Sequence, residues 1–208
     1  ALEQVIFQIG ITAFLILVAY YGTEAYAAYG IGVQILSFSF VIGFGFSIAG
    51  ATLVGQHLGA KNKNQAKRAG WGAMRLSIVS MTFFGVIIAT FAEPLARFMI
   101  DNDEVVRLTV IFIWLLGSMQ PLMAIEFSLG GALRGAGDTK TPLAITLTCL
   151  LFIRVFLAVI FFLLDASIEI IFSTLLADYI VKGFLYVSRF RSDKWMNVLK
   201  IKEVDQQP

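Results

Sequence analysis

The sequence predicts an all-α integral membrane protein, a bundle of six transmembrane helices. Three observations predict this class: an apolar composition, six apolar stretches of membrane-spanning length, and basic residues that gather at one end of those stretches. Of the 208 residues, 58% are hydrophobic and 14% are charged, and the mean hydropathy is +0.82. Soluble domains average about 45–50% apolar and about 25% charged residues, so this composition is typical of membrane proteins.

Each of the six apolar stretches is long enough to cross a hydrocarbon core of about 30 Å. Lipid offers no hydrogen-bond partner to the backbone, so a helix is the expected conformation of each stretch. We expect one six-helix transmembrane domain over residues 1–192 and a cytoplasmic C-terminal tail over residues 193–208. The predicted spans comprise residues 2–21, 29–54, 72–91, 105–133, 142–164 and 168–187.

Basic residues fall mainly at one end of the bundle if the six spans alternate in direction. Of the 16 Lys and Arg residues, Arg154 lies within a span, and only Arg97 and Arg107 fall at the opposite end. Cytoplasmic loops carry an excess of Lys and Arg. We therefore expect a multi-pass protein of the cell inner membrane with a cytoplasmic C-terminus. With one span more or one fewer, the basic residues would fall at both ends of the bundle. The pattern therefore also supports a count of six spans.

Several function classes lack their signatures. The net charge is only +2, and the basic residues lie in short clusters beside apolar runs, so a nucleic-acid partner is not expected. No GxxxxGK[ST] phosphate loop occurs, and no group of His, Cys and Asp residues suggests hydrolysis. A single histidine, His57, and a single cysteine, Cys149, exclude a multi-histidine metal site and an internal disulfide. We expect no enzyme activity, no metal and no cofactor.

Charged residues within spans are costly and therefore mark candidate functional positions. The turn between the fifth and sixth spans is centred on Ala166. Arg154 lies 12 residues before Ala166, and Asp178 lies 12 residues after it. At 1.5 Å per residue, both lie about 18 Å from the turn, near the middle of the membrane. We predict an intramembrane Arg154–Asp178 ion pair with Lys182 one turn nearer the cytoplasm. The pair could lock the helical hairpin, or it could form a moving gate or a substrate contact.

The fourth span carries a second group of candidates. Glu126 lies eight residues before Arg134, about 12 Å from the cytoplasmic end of the helix. Pro121 removes a backbone hydrogen bond and predicts a kink, with Gln120 beside it. A kinked helix with a carboxyl group suits an ion or drug site. A hydrogen bond between helices is the alternative interpretation of Glu126.

Polar side chains on the first two spans are further candidates for a substrate or ion pathway. Gln8 lies on the first span, and Tyr29 and Gln34 lie on the second. These residues could line a polar cavity, or they could simply form hydrogen bonds between helices. The small residues of the second span, among them Gly43, Gly50 and Ala51, predict close packing against another helix.

Several motifs resemble the multidrug and toxic compound extrusion (MATE) family. The motif VGQHLGA at 54–60, followed by AKRAG at 66–70, is similar to the hairpin after the second helix of a lobe in that family. The motif GALRGAGDTKTP at 131–142 is similar to the loop after its fourth helix. The motifs EPL at 93–95, MQP at 119–121 and RFRSDKW at 189–195 also resemble it. The resemblance covers nearly the whole chain.

This resemblance implies one lobe of a twelve-helix transporter with two six-helix lobes around a central cleft. The MQP and RFRSDKW motifs are similar to the carboxy-terminal lobe, and the chain begins without Met, so we expect a missing amino-terminal lobe as its partner. The resemblance further implies rocker-type alternating access in the lipid bilayer. Cationic amphiphilic small molecules would be exported in exchange for Na⁺ or H⁺, a multidrug efflux antiport.

The chain departs from the family pattern at two positions. Met123 matches the place where sodium-coupled members carry an acid on the fourth helix, and Gln8 lies near the corresponding place on the first. Glu126 lies one turn from Met123, so either Glu126 or the missing lobe would hold the coupling ion. Two alternative functions are a lipid-linked saccharide flippase of the same superfamily and a non-transporting membrane subunit.

Overall fold

The computed structural model describes the backbone of residues 2–198 and the side chains of residues 8–198. Within this range the chain is helical and contains no strand. A π-helical segment, Cys149–Val155, joins α7 to α8, and a 3-10 turn, Lys194–Asn197, follows α9. The α-helices are α1 (Leu2–Tyr20), α2 (Thr23–Gly59), α3 (Lys63–Thr90), α4 (Ala92–Met99), α5 (Asp103–Ser118), α6 (Gln120–Gly135), α7 (Lys140–Thr148), α8 (Phe156–Leu163) and α9 (Ile168–Arg191).

The predicted spans correspond to these helices in order. By length and composition, α2, α3, the continuous run α7–α8 and α9 can each cross a membrane, and α5 with α6 makes a fifth, bent span. The remaining predicted span is α1, whose described side chains, Gln8–Tyr20, form an apolar stretch. Helices α2 and α3 extend beyond the predicted limits, because backbone hydrogen bonding continues after the apolar stretch reaches the interface. At α3 the helix begins where the Asn62 side chain accepts a hydrogen bond from the Gln65 amide.

The fourth predicted span is broken where the sequence predicts a kink. Helices α5 and α6 meet at Met119 with an angle of 53° between them. Pro121 lies in the first turn of α6, where its missing N–H costs little, but it cannot continue the hydrogen-bond ladder of α5. The break redirects α6 against α2, α3 and α9.

The contact between α2 and α6 depends on glycine. A Cβ atom added at Gly131 would overlap the carbonyl oxygen of Ser47, and one added at Gly135 would overlap that of Ala51. On the α2 side, a Cβ at Gly50 would lie 3.0 Å from the Ser128 carbonyl oxygen. The two backbones are therefore in close contact, as small residues permit in membrane helices.

Short loops fix both ends of the bundle. At one end the Tyr21 hydroxyl donates a hydrogen bond to the Ala166 carbonyl oxygen at 2.8 Å, joining the α1–α2 and α8–α9 turns. At the other end Gly137 takes the left-handed conformation with φ of 82°. There the Asp138 carboxylate accepts hydrogen bonds from the Thr141 amide and from Arg189.

The first part of the predicted tail packs on the bundle. Trp195 is buried and stacks on Phe190, with ring centroids 4.6 Å apart, and its indole donates to the Phe190 carbonyl oxygen. Lys67 forms an ion pair with Asp193 at 2.7 Å. The rest of the predicted tail, from residue 199 onward, lies outside the described residues.

Candidate functional site

Four charged side chains meet inside the bundle. Arg154 Nη2 lies 2.7 Å from Asp178 Oδ2, and Lys182 Nζ lies 3.2 Å from the same oxygen. Lys182 Nζ also lies 3.6 Å from Glu126 Oε1. We call these four residues the charge cluster. It contains two cations and two carboxylates, so it is electrically balanced when all four are ionised.

The four side chains of the charge cluster differ in how deeply they are buried. The side chains of Asp178, Lys182 and Arg154 are 0%, 3% and 9% exposed, whereas that of Glu126 is 21% exposed. A buried ion loses its hydration and is tolerated only beside a partner of opposite charge. Glu126 has the longest contact and the greatest exposure of the four. It is therefore the least enclosed member of the charge cluster in this lobe.

Three elements position the charge cluster. Asp178 and Lys182 lie one turn apart on α9, so their side chains project from the same face. Glu126 comes from α6, beyond the bend at Met119. Arg154 lies in the π-helical segment, an irregularity that interrupts an otherwise continuous span and that often occurs at functional sites.

The aromatic ring of Tyr179 lies beside both cations of the charge cluster. The centroid of the Tyr179 ring lies 5.6 Å from Arg154 Cζ and 5.1 Å from Lys182 Nζ, within the range of cation–π attraction. Tyr29 is half-buried, with ring centroids 5.9 Å from Phe14 and 5.1 Å from Phe112. The two cations thus have an aromatic neighbour as well as carboxylates.

A neutral polar contact lies at the bend between α5 and α6. The Ser39 hydroxyl on α2 donates to Gln120 Oε1 at 2.6 Å, and both side chains are buried. Gln120 Nε2 is buried and has no hydrogen-bond partner among the described residues. The side chain also lies against Gly85 of α3, where a Cβ atom would overlap it. Gln120 therefore ties the bend to two neighbouring helices.

The other candidates from the sequence lie elsewhere. Gln8 and Gln34 are exposed, and no hydrogen bond or ion pair within residues 8–198 joins either to the charge cluster. Gln8 lines a shallow groove of about 440 Å³ with Ile9, Thr12 and neighbouring apolar residues of α1. The sequence did not reveal the Lys182–Glu126 contact or the role of Tyr179. The sequence shows that Tyr179 and Lys182 are three residues apart on α9. The proximity of Glu126 on α6 depends on the tertiary fold.

A metal centre finds no support in the described part of the chain. No group of three or more His, Cys, Asp or Glu residues there could hold a metal ion. Cys149 is buried in the π-helical segment and has no disulfide partner.

The membrane-length helices and the bent span define the class of a multi-pass membrane protein. The MatE family model matches residues 1–160, and the chain belongs to that family. Members of this family are transporters rather than enzymes.

Among curated proteins, the chain is 34% identical over 204 residues to the "Probable multidrug resistance protein NorM" of Thermotoga maritima. The match covers 94% of this chain and 42% of that protein. The protein of the same name from Mannheimia succiniciproducens is 31% identical over 128 residues, which cover 62% of this chain and 28% of that protein. The chain therefore spans less than half the length of these relatives.

Solved structures have the same fold. The MATE transporter ClbM in complex with Rb⁺ superimposes with a TM-score of 0.85 at 20% identity, covering 94% of this chain and 46% of that one. An outward-facing multidrug resistance MATE transporter of the MOP superfamily gives a TM-score of 0.80 at 19% identity, covering 99% and 46%. The expected all-helical lobe of a MATE-like transporter is confirmed.

Proposed function

We propose that the whole protein containing this chain is a secondary active multidrug exporter, with this chain as one of its two lobes. Drugs would leave in exchange for Na⁺ or H⁺ by alternating access. The name of the Thermotoga relative and the MATE fold support this function. The observation that carries it is the charge cluster, because a set of ionised groups buried in a membrane bundle is costly and is typically retained for transport.

Glu126 is the residue we assign to coupling in this lobe. When it is ionised, Lys182 is held between two carboxylates, and the charge cluster is neutral. Protonation of Glu126 leaves Lys182 beside Asp178 alone and gives the charge cluster a net charge of +1. A buried excess charge favours a conformation that returns it to water. Proton binding at Glu126 would thus shift the balance between two conformations of the lobe.

Na⁺ coupling at the same place would require a different event. Lys182 Nζ already occupies the position between the carboxylates of Asp178 and Glu126. A sodium ion would have to displace this ammonium group to gain the same ligands. The arrangement therefore favours a proton over Na⁺ in this lobe, and a sodium site would belong to the amino-terminal lobe.

The substrate class follows from the proposed architecture. A second six-helix lobe would face this one across a cleft, and cationic amphiphilic molecules would enter it. Gln8 and Gln34 are exposed in this lobe, so they are available to line such a cleft, and Tyr29 lies nearby on α2. We place the C-terminus in the cytoplasm of a cell whose inner membrane holds the protein, because nearly all basic loop residues lie at that end.

Dye efflux tests the proposed function. The complete protein is reconstituted into proteoliposomes, and a fluorescent cationic dye is followed under an imposed H⁺ gradient, an imposed Na⁺ gradient, or neither. We expect dye export that is driven by one of the two gradients. Dye movement that ignores both gradients would contradict ion coupling. If no gradient moves any dye, the protein is a flippase of another substrate or a non-transporting subunit.

A further inference from the structure

An open groove of about 630 Å³ lies along the first turns of α3, at the basic end of the bundle. Three of its lining residues are cations, and one is an aromatic residue, Trp71. Gly72 also lines it, and a Cβ atom built there would meet nothing within 4 Å. The lining residues are Asn64, Lys67, Arg68, Trp71, Gly72 and Arg75. We call this feature the α3 groove.

The groove has unused positive charge. Lys67 is paired with Asp193, but neither Arg68 nor Arg75 has a carboxylate within 4.0 Å among the described residues. Both arginines are exposed. Planar guanidinium groups bind phosphate through parallel hydrogen bonds. The α3 groove therefore presents two free arginines to an anion.

The indole of Trp71 adds a free donor. The other two tryptophans donate to backbone carbonyl oxygens, Trp114 to Ala89 at 3.0 Å and Trp195 to Phe190 at 2.9 Å. Trp71 Nε1–H has no acceptor among the described residues, although its ring packs edge-on against Phe190. Tryptophan at a membrane interface typically keeps its ring in apolar surroundings and its N–H toward polar groups.

An apolar stripe continues the same face of α3 into the membrane. Leu76, Val79 and Phe83 are 63%, 69% and 61% exposed. They follow Arg68, Gly72 and Arg75 at helical spacings of three and four residues, so groove and stripe share one side of the helix. The face is cationic at the interface and apolar below it.

We propose that the α3 groove binds the phosphate headgroup of an anionic phospholipid, with an acyl chain lying along the apolar stripe. Arg68 and Arg75 hold the phosphate, Trp71 donates to an oxygen of the headgroup, and Gly72 leaves room for it. An inorganic anion would satisfy the arginines but would not use the stripe, and a drug cation would be repelled by them. The inference uses only the proposed position of this end at the inner leaflet and does not depend on drug export.

Lipid titration followed by native mass spectrometry tests the site. The delipidated complete protein is titrated with phosphatidylglycerol or with phosphatidylcholine of the same chains. Wild-type protein is expected to bind phosphatidylglycerol more tightly. The variant Arg68→Gln/Arg75→Gln is expected to lose about thirtyfold in affinity for it, because each basic residue near an anionic surface contributes about 1 kcal/mol. Phosphatidylcholine binding should change little.

Two further variants separate charge from space. Gly72→Leu fills the groove without altering charge and is expected to weaken phosphatidylglycerol binding by about tenfold or more, an order-of-magnitude expectation for losing a headgroup contact of about 1.4 kcal/mol. Lys61→Gln/Lys140→Gln removes two exposed charges from the same end outside the groove and should leave the affinity near that of wild type. Equal losses of phosphatidylglycerol affinity in the two double variants would show that general surface charge, and not the α3 groove, attracts the lipid, and would overturn the proposal.

Two other outcomes would also overturn the proposal. Dihexanoyl phosphatidylglycerol that binds as tightly as the long-chain lipid would show that the apolar stripe is not used. Specific binding that appears only after residues 199–208 are deleted would make the chain's own tail the occupant of the groove. Since lipid binding is measured without a gradient, its failure is distinguishable from a failure of the proposed export.

Discussion

Removal of the Asp178 carboxylate is expected to destabilise the bundle strongly. Two unit charges at the 2.7 Å of the Arg154–Asp178 contact attract each other by about 6 kcal/mol at an effective dielectric constant of about 20. Burial of both ions offsets part of that gain, so removing one partner of such a pair costs about 3–5 kcal/mol. Asp178→Ala would also deprive Lys182 of its nearer carboxylate and should fall in the upper half of that range.

A second variant tests whether the loss comes from unpaired charge. Arg154→Met/Asp178→Ala leaves Lys182 with Glu126, so the remaining charges balance. The double variant should recover about 2 kcal/mol relative to the sum of the single losses, a typical interaction energy for neighbouring buried groups. The free energy of unfolding is measured for the complete protein in detergent by a reversible denaturant titration with a helical signal.

A surface pair of the same length is the matched control. Arg107 Nη2 and Glu104 Oε1 are also 2.7 Å apart, but their side chains are 52% and 47% exposed. Glu104→Ala should have no measurable effect, because water and salt screen an exposed pair. If Asp178→Ala were as harmless as Glu104→Ala, or if the double variant lost the full sum of the single variants, the buried ion pair would not be what stabilises this region.

Three further predictions concern other parts of the fold. Gly131→Ala should destabilise the protein by about 1–3 kcal/mol through overpacking of α2 against α6, whereas Gly45→Ala, whose new Cβ meets nothing within 4 Å, should be neutral in the same denaturant titration. Pro121→Ala should straighten the break between α5 and α6 and slow dye efflux while the protein stays folded; unchanged efflux would show that the bend is not needed for transport. Burial, and secondarily Asp165, raises the pKa of Tyr21 above its usual value of 10.0. The stability that the neutral Tyr21 hydroxyl contributes is therefore present below pH 10.0 and is lost as the pH rises through the raised pKa. Tyr21→Phe should therefore cost about 1 kcal/mol at neutral pH through the lost hydrogen bond, and its stability should decline less than that of wild type in melts above pH 10.

Much of the fold was accessible from the sequence because lipid imposes simple constraints on it. Apolar length located the spans, and Pro121 located the break in the fourth one. The limits of α2 and α3 were predicted too short, since hydropathy marks only the part of a helix that lies in lipid. The π-helical segment at Cys149–Val155 was not predicted, because no local residue type distinguishes it from an ordinary apolar helix.

The sequence predicted only the part of the candidate site formed by Arg154 and Asp178, because these two residues belong to one hairpin. Equal distances from the turn near Ala166 placed Arg154 and Asp178 at the same depth. Glu126 lies on a different helix, and its direction depends on the 53° bend, whose size cannot be read from Pro121 alone. Its contact with Lys182 therefore required the structure.

We propose that Glu126 couples proton movement to export through its contact with Lys182. The most direct measurement is the initial rate of dye efflux under an imposed proton gradient from proteoliposomes holding the complete protein, compared among wild type, Glu126→Gln and Glu24→Gln. Glu24 is an exposed acid at the opposite end of the bundle and forms no ion pair within residues 8–198. We expect the proton-driven part of the rate to fall by about tenfold or more in Glu126→Gln, as for removal of a proton-transfer group, and to be retained in Glu24→Gln. Proton-driven efflux at the wild-type rate in Glu126→Gln would contradict the claim and place coupling outside this lobe.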